Sequence, residues 1–96
     1  MLNKRSEKPE VQTRSRNKAG DGTRNIVGAR IRKLRRSANP RITQEDLAGR
    51  VAAHNVGLDR TAIFRIETGK RSVTDLELAA IAKALRVKIS DLFAVG

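Results

Sequence analysis

The chain has 96 residues, 21 Lys+Arg against 10 Asp+Glu, one His and no Cys, so the starting reading is a single small domain carrying a net charge of +11. Without cysteine there is no disulfide scaffold and no thiolate zinc site, and His54 alone cannot assemble the histidine clusters of zinc enzymes, so no metal and no cofactor is expected. Nowhere do about 18 apolar residues run together and the N-terminus lacks the apolar stretch of a signal peptide, which argues against a membrane partner and for a cytoplasmic, nucleoid-associated protein.

Only Phe64 and Phe93 are aromatic, so the core has to come from Ile, Leu, Val and Ala, a composition suited to close-packed helices. The charge is lopsided. Residues 1–41 hold 13 basic and 3 acidic residues, residues 42–96 hold 8 and 7. A basic first part attracts polyphosphates and anionic lipid alike, but lipid binding also needs an apolar face. Residues 1–23 offer only Leu2, Val11 and Ala19 beyond Met1, and read as a disordered basic arm too polar to offset the entropy of ordering.

From Thr23 the pattern changes. Val27, Ile31, Leu34 and Ala38 recur at helical spacing, opposite Arg32, Lys33 and Arg36, and predict a first helix over about 24–37. Asn39 before Pro40 pushes the chain out of helical geometry and stops it. Thr43 then caps a second helix from Gln44, with Asp46 at the third position and an apolar seam of Leu47 and Val51 flanked by Ala48 and Ala52; it ends in the stretch from His54 to Gly57. Asp59 caps a third helix over about 60–68, whose one side carries Ile63 and Ile66 and whose other carries Thr61, Arg65 and Thr68. Gly69 closes it, and Thr74 with Glu77 makes a capping box for a fourth helix with a stripe of Leu78, Ile81, Ala82 and Leu85. A last short helical turn follows a cap at Ser90 and brings in Leu92 and Phe93. The expected architecture is all-α, five helices over residues 24–96 behind the arm.

Four blocks along this stretch resemble the lambda-repressor/Cro-type helix-turn-helix family, also called the xenobiotic-response-element type. They are Val27-Gly28-Ala29-Arg30-Ile31-Arg32-Lys33-Leu34-Arg35, Ile42-Thr43-Gln44-Glu45-Asp46-Leu47-Ala48, Ile63-Phe64-Arg65-Ile66-Glu67-Thr68-Gly69-Lys70-Arg71, and Leu78-Ala79-Ala80-Ile81-Ala82-Lys83-Ala84-Leu85 leading into Asp91-Leu92-Phe93. The resemblance covers about residues 25–94 and implies a five-helix lambda-repressor-like domain. Its second and third helices would form the DNA-binding unit, the third lying in the major groove. The chain departs from the commonest pattern by about five extra residues between Ala48 and Ile63, so either the second helix runs a turn further or the turn is a longer loop. Being placed before Asp59, the insertion keeps the register of the third helix.

The chemistry of the residues points the same way. Gln44, at the positive end of the second helix, suits a phosphate. Arg60, Thr61 and Arg65 start and line the outward face of the third helix, and an arginine fork matches the two acceptors of guanine, which makes Arg65 the best candidate base reader. Lys70 and Arg71, just past the helix, read as phosphate ligands. Phe64 lies at the edge of the buried face, where it touches a thymine methyl or covers the core, the latter being the preferred reading. Arg32, Lys33 and Arg36 read as a solvated face turned away from the groove. His54 reads as a lone exposed turn residue, and Gly28 as a close-packing position. Glu67 falls between Ile63 and Ile66 on the buried side, where a lone carboxylate is costly, so an ion pair with Arg35 of the first helix is expected, as the resemblance also implies.

These features add up to a sequence-specific regulator of transcription, a repressor binding double-stranded DNA as a homodimer on an inverted repeat, with Leu92 and Phe93 as candidate dimer contacts. The rival readings are a DNA-binding antitoxin or accessory subunit that holds a protein partner, and a nonspecific nucleic-acid binder working through the arm. An enzyme is not expected, because no set of titratable groups converges on a catalytic arrangement.

Overall fold

The computed structural model describes residues 22–94, and these form four α-helices and a closing 3₁₀ turn, with no strand among the described residues. The expected disordered arm lies outside the described residues except for Gly22 and Thr23. The helices are α1 (Gly28–Ser37), α2 (Gln44–Ala52), α3 (Arg60–Glu67) and α4 (Asp75–Leu85), and the 3₁₀ turn is Ile89–Phe93. The fold is thus the all-helical one expected, with a 3₁₀ turn in place of the fifth helix.

Helix α1 begins at Gly28, four residues later than its apolar spacing predicts, because Asn25 works as a clasp. Its Oδ1 accepts from the Val27 and Gly28 amides at 3.1 and 2.7 Å, and its Nδ2 donates to the Ile66 and Arg71 carbonyls at 3.0 and 2.7 Å. An Asn side chain that satisfies the first amides of a helix holds the chain non-helical before them. The Arg24 amide adds a bond to the Gly69 carbonyl at 2.8 Å. At Gly28 a Cβ would strike the Ile66 carbonyl oxygen, with the Glu67 carbonyl oxygen 3.0 Å away, so α1 crosses α3 at backbone contact.

Helix α2 opens on a reciprocal box: the Asp46 amide donates to Thr43 Oγ1 at 3.0 Å and the Thr43 amide to Asp46 Oδ2 at 3.1 Å. Its buried residues are Leu47 and Val51, while Ala52 of the expected seam is exposed. The extra residues form a longer loop and leave α2 to end at Ala52. Asn55, at φ 64°, takes a left-handed position in the stretch that follows α2, and Leu58 turns inward to 3% exposure, pinning the loop to the core. Asp59 then caps α3, its Oδ1 accepting from the Ala62 amide at 2.8 Å.

At the other end of α3, Gly69 at φ 75° closes a Schellman motif in which the Lys70 amide reaches the Arg65 carbonyl at 2.8 Å and the Gly69 amide the Ile66 carbonyl at 3.1 Å. Thr74 and Glu77 make the second box, at 3.1 and 3.0 Å. Helix α4 buries Ala80, Ile81, Ala82 and Ala84, whereas Leu78 and Leu85 of the expected stripe are half-buried. Ser90 is exposed and caps nothing; the 3₁₀ turn is capped from within by Asp91, whose Oδ2 accepts from the Lys88 amide at 3.0 Å.

Helix α2 packs on both α3 and α4, α1 lies on α3, and the 3₁₀ turn bridges α1 and α4. Ile31, Leu47, Val51, Ile63, Ile66, Ile81 and Leu92 fill the centre. Leu92, fully buried, therefore belongs to the core and cannot be a dimer contact, while Phe93 stays half-exposed.

Candidate nucleic-acid interface

The site rests on a charged group inside the protein. Arg35 of α1 meets Glu67 of α3 through two parallel bonds, Nε to Oε2 at 2.7 Å and Nη2 to Oε1 at 2.9 Å, with side-chain exposures of 9% and 1%. Its Nη1 donates to the Ile42 carbonyl at 3.0 Å, so the same guanidinium fastens the α1–α2 connection. Gln44 Nε2 donates to Glu67 Oε1 at 3.1 Å. One buried carboxylate thereby orients the arginine of α1 and the first side chain of α2. A planar fork on a carboxylate, supplemented by neutral donors, is the arrangement in which desolvated charges are tolerated.

Helix α3 is divided by its caps and its packing. Ile63, Ile66 and Glu67 are buried, and Arg60, Thr61, Phe64, Arg65 and Thr68 are exposed. The exposed residues form two rows. Arg60, Phe64 and Thr68, four residues apart, line a cleft of about 560 Å³ shared with Arg32, Arg36, Arg41 and the start of α2. Thr61 and Arg65 lie outside that cleft on the outer row. Arg60 is therefore separated from Thr61 and Arg65, with which its place at the start of the helix had grouped it. Phe64, 48% exposed in the cleft wall, is not a core residue: the core side of α3 is already filled by Ile63 and Ile66.

Past the helix, Lys70 is exposed, but Arg71 turns to Glu77 of α4, with Nη1 to Oε1 and Nη2 to Oε2 both at 2.9 Å, and donates again to the Ser72 carbonyl at 3.0 Å. The Arg71 guanidinium holds the Glu77 carboxyl below the usual carboxylate range, and Glu77 raises Arg71 in return. Arg71 thus ties the α3–α4 connection to the box that starts α4. Asp46 is also lowered, chiefly by the Thr43 amide in its own box. His54 is exposed in the loop after α2.

The spacing argument did not single out Arg41; Arg32, Lys33 and Arg36, which it read as a solvated face, are exposed. Arg32, Arg36 and Arg41 stand around the mouth of the cleft, and an adjoining hollow is lined by Ala29, Lys33 and Ser37 together with the same three arginines. Their clustering needs the α1–α2 connection to fold back, which helical periodicity cannot report. It could have been suspected from the density of arginine between residues 30 and 41.

In sum of chemistry, the surface offers arginines and a threonine on a rigid helix, an ordered amide at the start of another, and a cationic wall between them. Among the described residues no cluster of His, Asp and Glu could hold a metal ion, and no helix is long and apolar enough to cross a membrane. A family model described as Helix-turn-helix matches residues 31–92. No curated protein and no solved structure matches the chain.

Proposed function

The chain belongs to the helix-turn-helix family of the lambda-repressor/Cro type, and from that membership we propose that it is a sequence-specific repressor that binds an inverted repeat as a dimer. The family's domain is a DNA-binding regulatory one, so double-stranded DNA is the partner. What carries the finer reading is the outer row of α3: Thr61 and Arg65 stand exposed on a helix whose other side is locked by Ile63, Ile66 and the Arg35–Glu67 pair. Base reading needs rigid presentation of this kind, because a bidentate contact is lost over small displacements.

In this reading Arg65 forks onto a guanine edge, Thr61 and Arg60 contact neighbouring positions, and Gln44, oriented by Glu67, grips a backbone phosphate together with the first amides of α2. Lys70 adds a phosphate contact. Arg71 holds the connection that presents Lys70, through Glu77, and is a positioning residue. Dimerisation follows from economy of specificity, since one recognition helix reads only a few base pairs and two half-sites multiply the discrimination.

Selection of bound fragments from random duplexes tests the reading. Wild type should enrich a two-fold symmetric site with half-sites spaced about 10 base pairs or a multiple of that. Arg65→Ala should lose preference at one position per half-site, at a cost of about 1–3 kcal/mol there, and Lys70→Ala should weaken all sequences alike. Enrichment of a single unpaired half-site would overturn the dimer, and no enrichment at all would overturn sequence-specific recognition.

A further inference from the structure

We propose that the cleft between α1 and α3 is a second seat for the DNA backbone, in which Arg32, Arg36 and Arg41 are phosphate ligands. The inference rests on the DNA-binding reading and extends its footprint from α2 and α3 onto α1. Besides Arg35, four arginines, Arg32, Arg36, Arg41 and Arg60, line this cleft of about 560 Å³, against Glu45 as its one carboxylate outside an ion pair, since Glu67 is taken by Arg35. None of the four has a hydrogen-bond or ion-pair partner among the described residues. Four cations against a single free carboxylate repel one another, and an anion in the cleft relieves that repulsion.

The floor of the cleft adds an independent pointer. Arg35 lines it, and of the five N–H groups of its guanidinium three are used, two on Glu67 and one on the Ile42 carbonyl. Two donors of a buried cation therefore remain for a ligand. Arg32 and Arg36 are four residues apart, about 6 Å along α1, so they can follow successive phosphates of one strand instead of competing for one. Arginine rather than lysine at all these positions suits bidentate grip on phosphate oxygens. The occupant is a nucleic-acid strand because the cleft shares a wall, Arg60, Phe64 and Thr68, with the helix assigned to the groove.

The test compares two charge-matched triple variants of the full chain. One is Arg32→Gln/Arg36→Gln/Arg41→Gln. The other is Lys83→Gln/Arg86→Gln/Lys88→Gln, at exposed positions that do not line the cleft. Affinity for the selected duplex is measured from low to high salt. With two or three phosphates lost, the slope of log K against log salt should fall by about 2–3 per bound chain in the cleft variant, at about 0.9 per phosphate, and by less than about 1 in the control. The ranking of single-base variants of the site should not change. Equal slopes for both triple variants would mean that only net charge matters and would overturn the seat, as would a shift in base ranking. If wild type binds duplex DNA and the cleft variant keeps its slope, this inference alone fails; if wild type binds no duplex, the reading beneath it fails as well. Thermal melts of both variants verify that the exposed substitutions leave folding unaltered.

Discussion

Replacing Glu67 with Gln changes charge and hydrogen bonding at nearly constant volume, which isolates the buried pair from packing. At 9% and 1% side-chain exposure the pair lies far from the regime of surface bridges, whose contribution is about 0–1 kcal/mol. Removing one partner of a buried pair costs about 3–5 kcal/mol, because the other charge is left uncompensated. Gln keeps one carbonyl acceptor for Arg35, which returns about 1 kcal/mol, but its amide presents donors either to Arg35 Nε or to Arg35 Nη2 and Gln44 Nε2 together, where Glu67 accepted from all three. The expected loss is therefore about 2–4 kcal/mol. For a domain of about 70 residues, whose whole stability is roughly 4–10 kcal/mol, the midpoint of thermal melting should drop by roughly 10–25 °C. Urea unfolding followed by circular dichroism should show an earlier midpoint with an unchanged slope. A double-mutant cycle with Arg35→Met and Glu67→Leu sharpens the test. The double variant removes both charges and leaves mainly the Ile42 carbonyl short of its donor, so the coupling energy should reach at least about 2 kcal/mol. A loss below about 1 kcal/mol for Glu67→Gln, or additive single variants, would refute the claim that this pair organises α1, α2 and α3.

Gly28→Ala should destabilise by about 3 kcal/mol or more, although Ala is the better helix former, because the new methyl meets the Ile66 carbonyl; a neutral or stabilising result in urea unfolding would show that α1 can slide on α3. Glu77 titrates below the usual carboxylate range, chiefly through Arg71, so its contribution to stability is complete above about pH 4.5 and is lost as pH falls through the lower folded value. Melting midpoints should accordingly decline in acid less steeply for Glu77→Gln than for wild type, and parallel curves would refute this. Arg86 ends α4 at φ 60° with an exposed side chain, so Arg86→Gly should raise stability by about 0.5–1 kcal/mol; a decrease in chemical unfolding would mean that its side chain matters more than its backbone.

What the sequence by itself determined lies within a few residues of each cap. Thr43 with Asp46, Asp59 before Ala62, and Thr74 with Glu77 start helices because the bonds they make span three residues, and Gly69 ends one because few other residues adopt its φ. The buried side of α3 was equally legible, since Ile63, Ile66 and Glu67 share a face by helical spacing alone. Tertiary structure decided whatever depends on partners distant in the chain. Asn25 delays α1 by bonding to carbonyls 41 and 46 residues away. Leu58 pins a loop whose length alone left two conformations open, and Leu92 is drawn into the core while Phe93 is not. Arg71 turns to Glu77, and Gln44 is held by Glu67. The same holds for the arginine cleft. Spacing places Arg32 and Arg36 on the polar side of α1, but whether that side faces solvent or a wall is set by how α1 crosses α3, and that crossing is fixed by the backbone contact at Gly28 and the buried fork of Arg35.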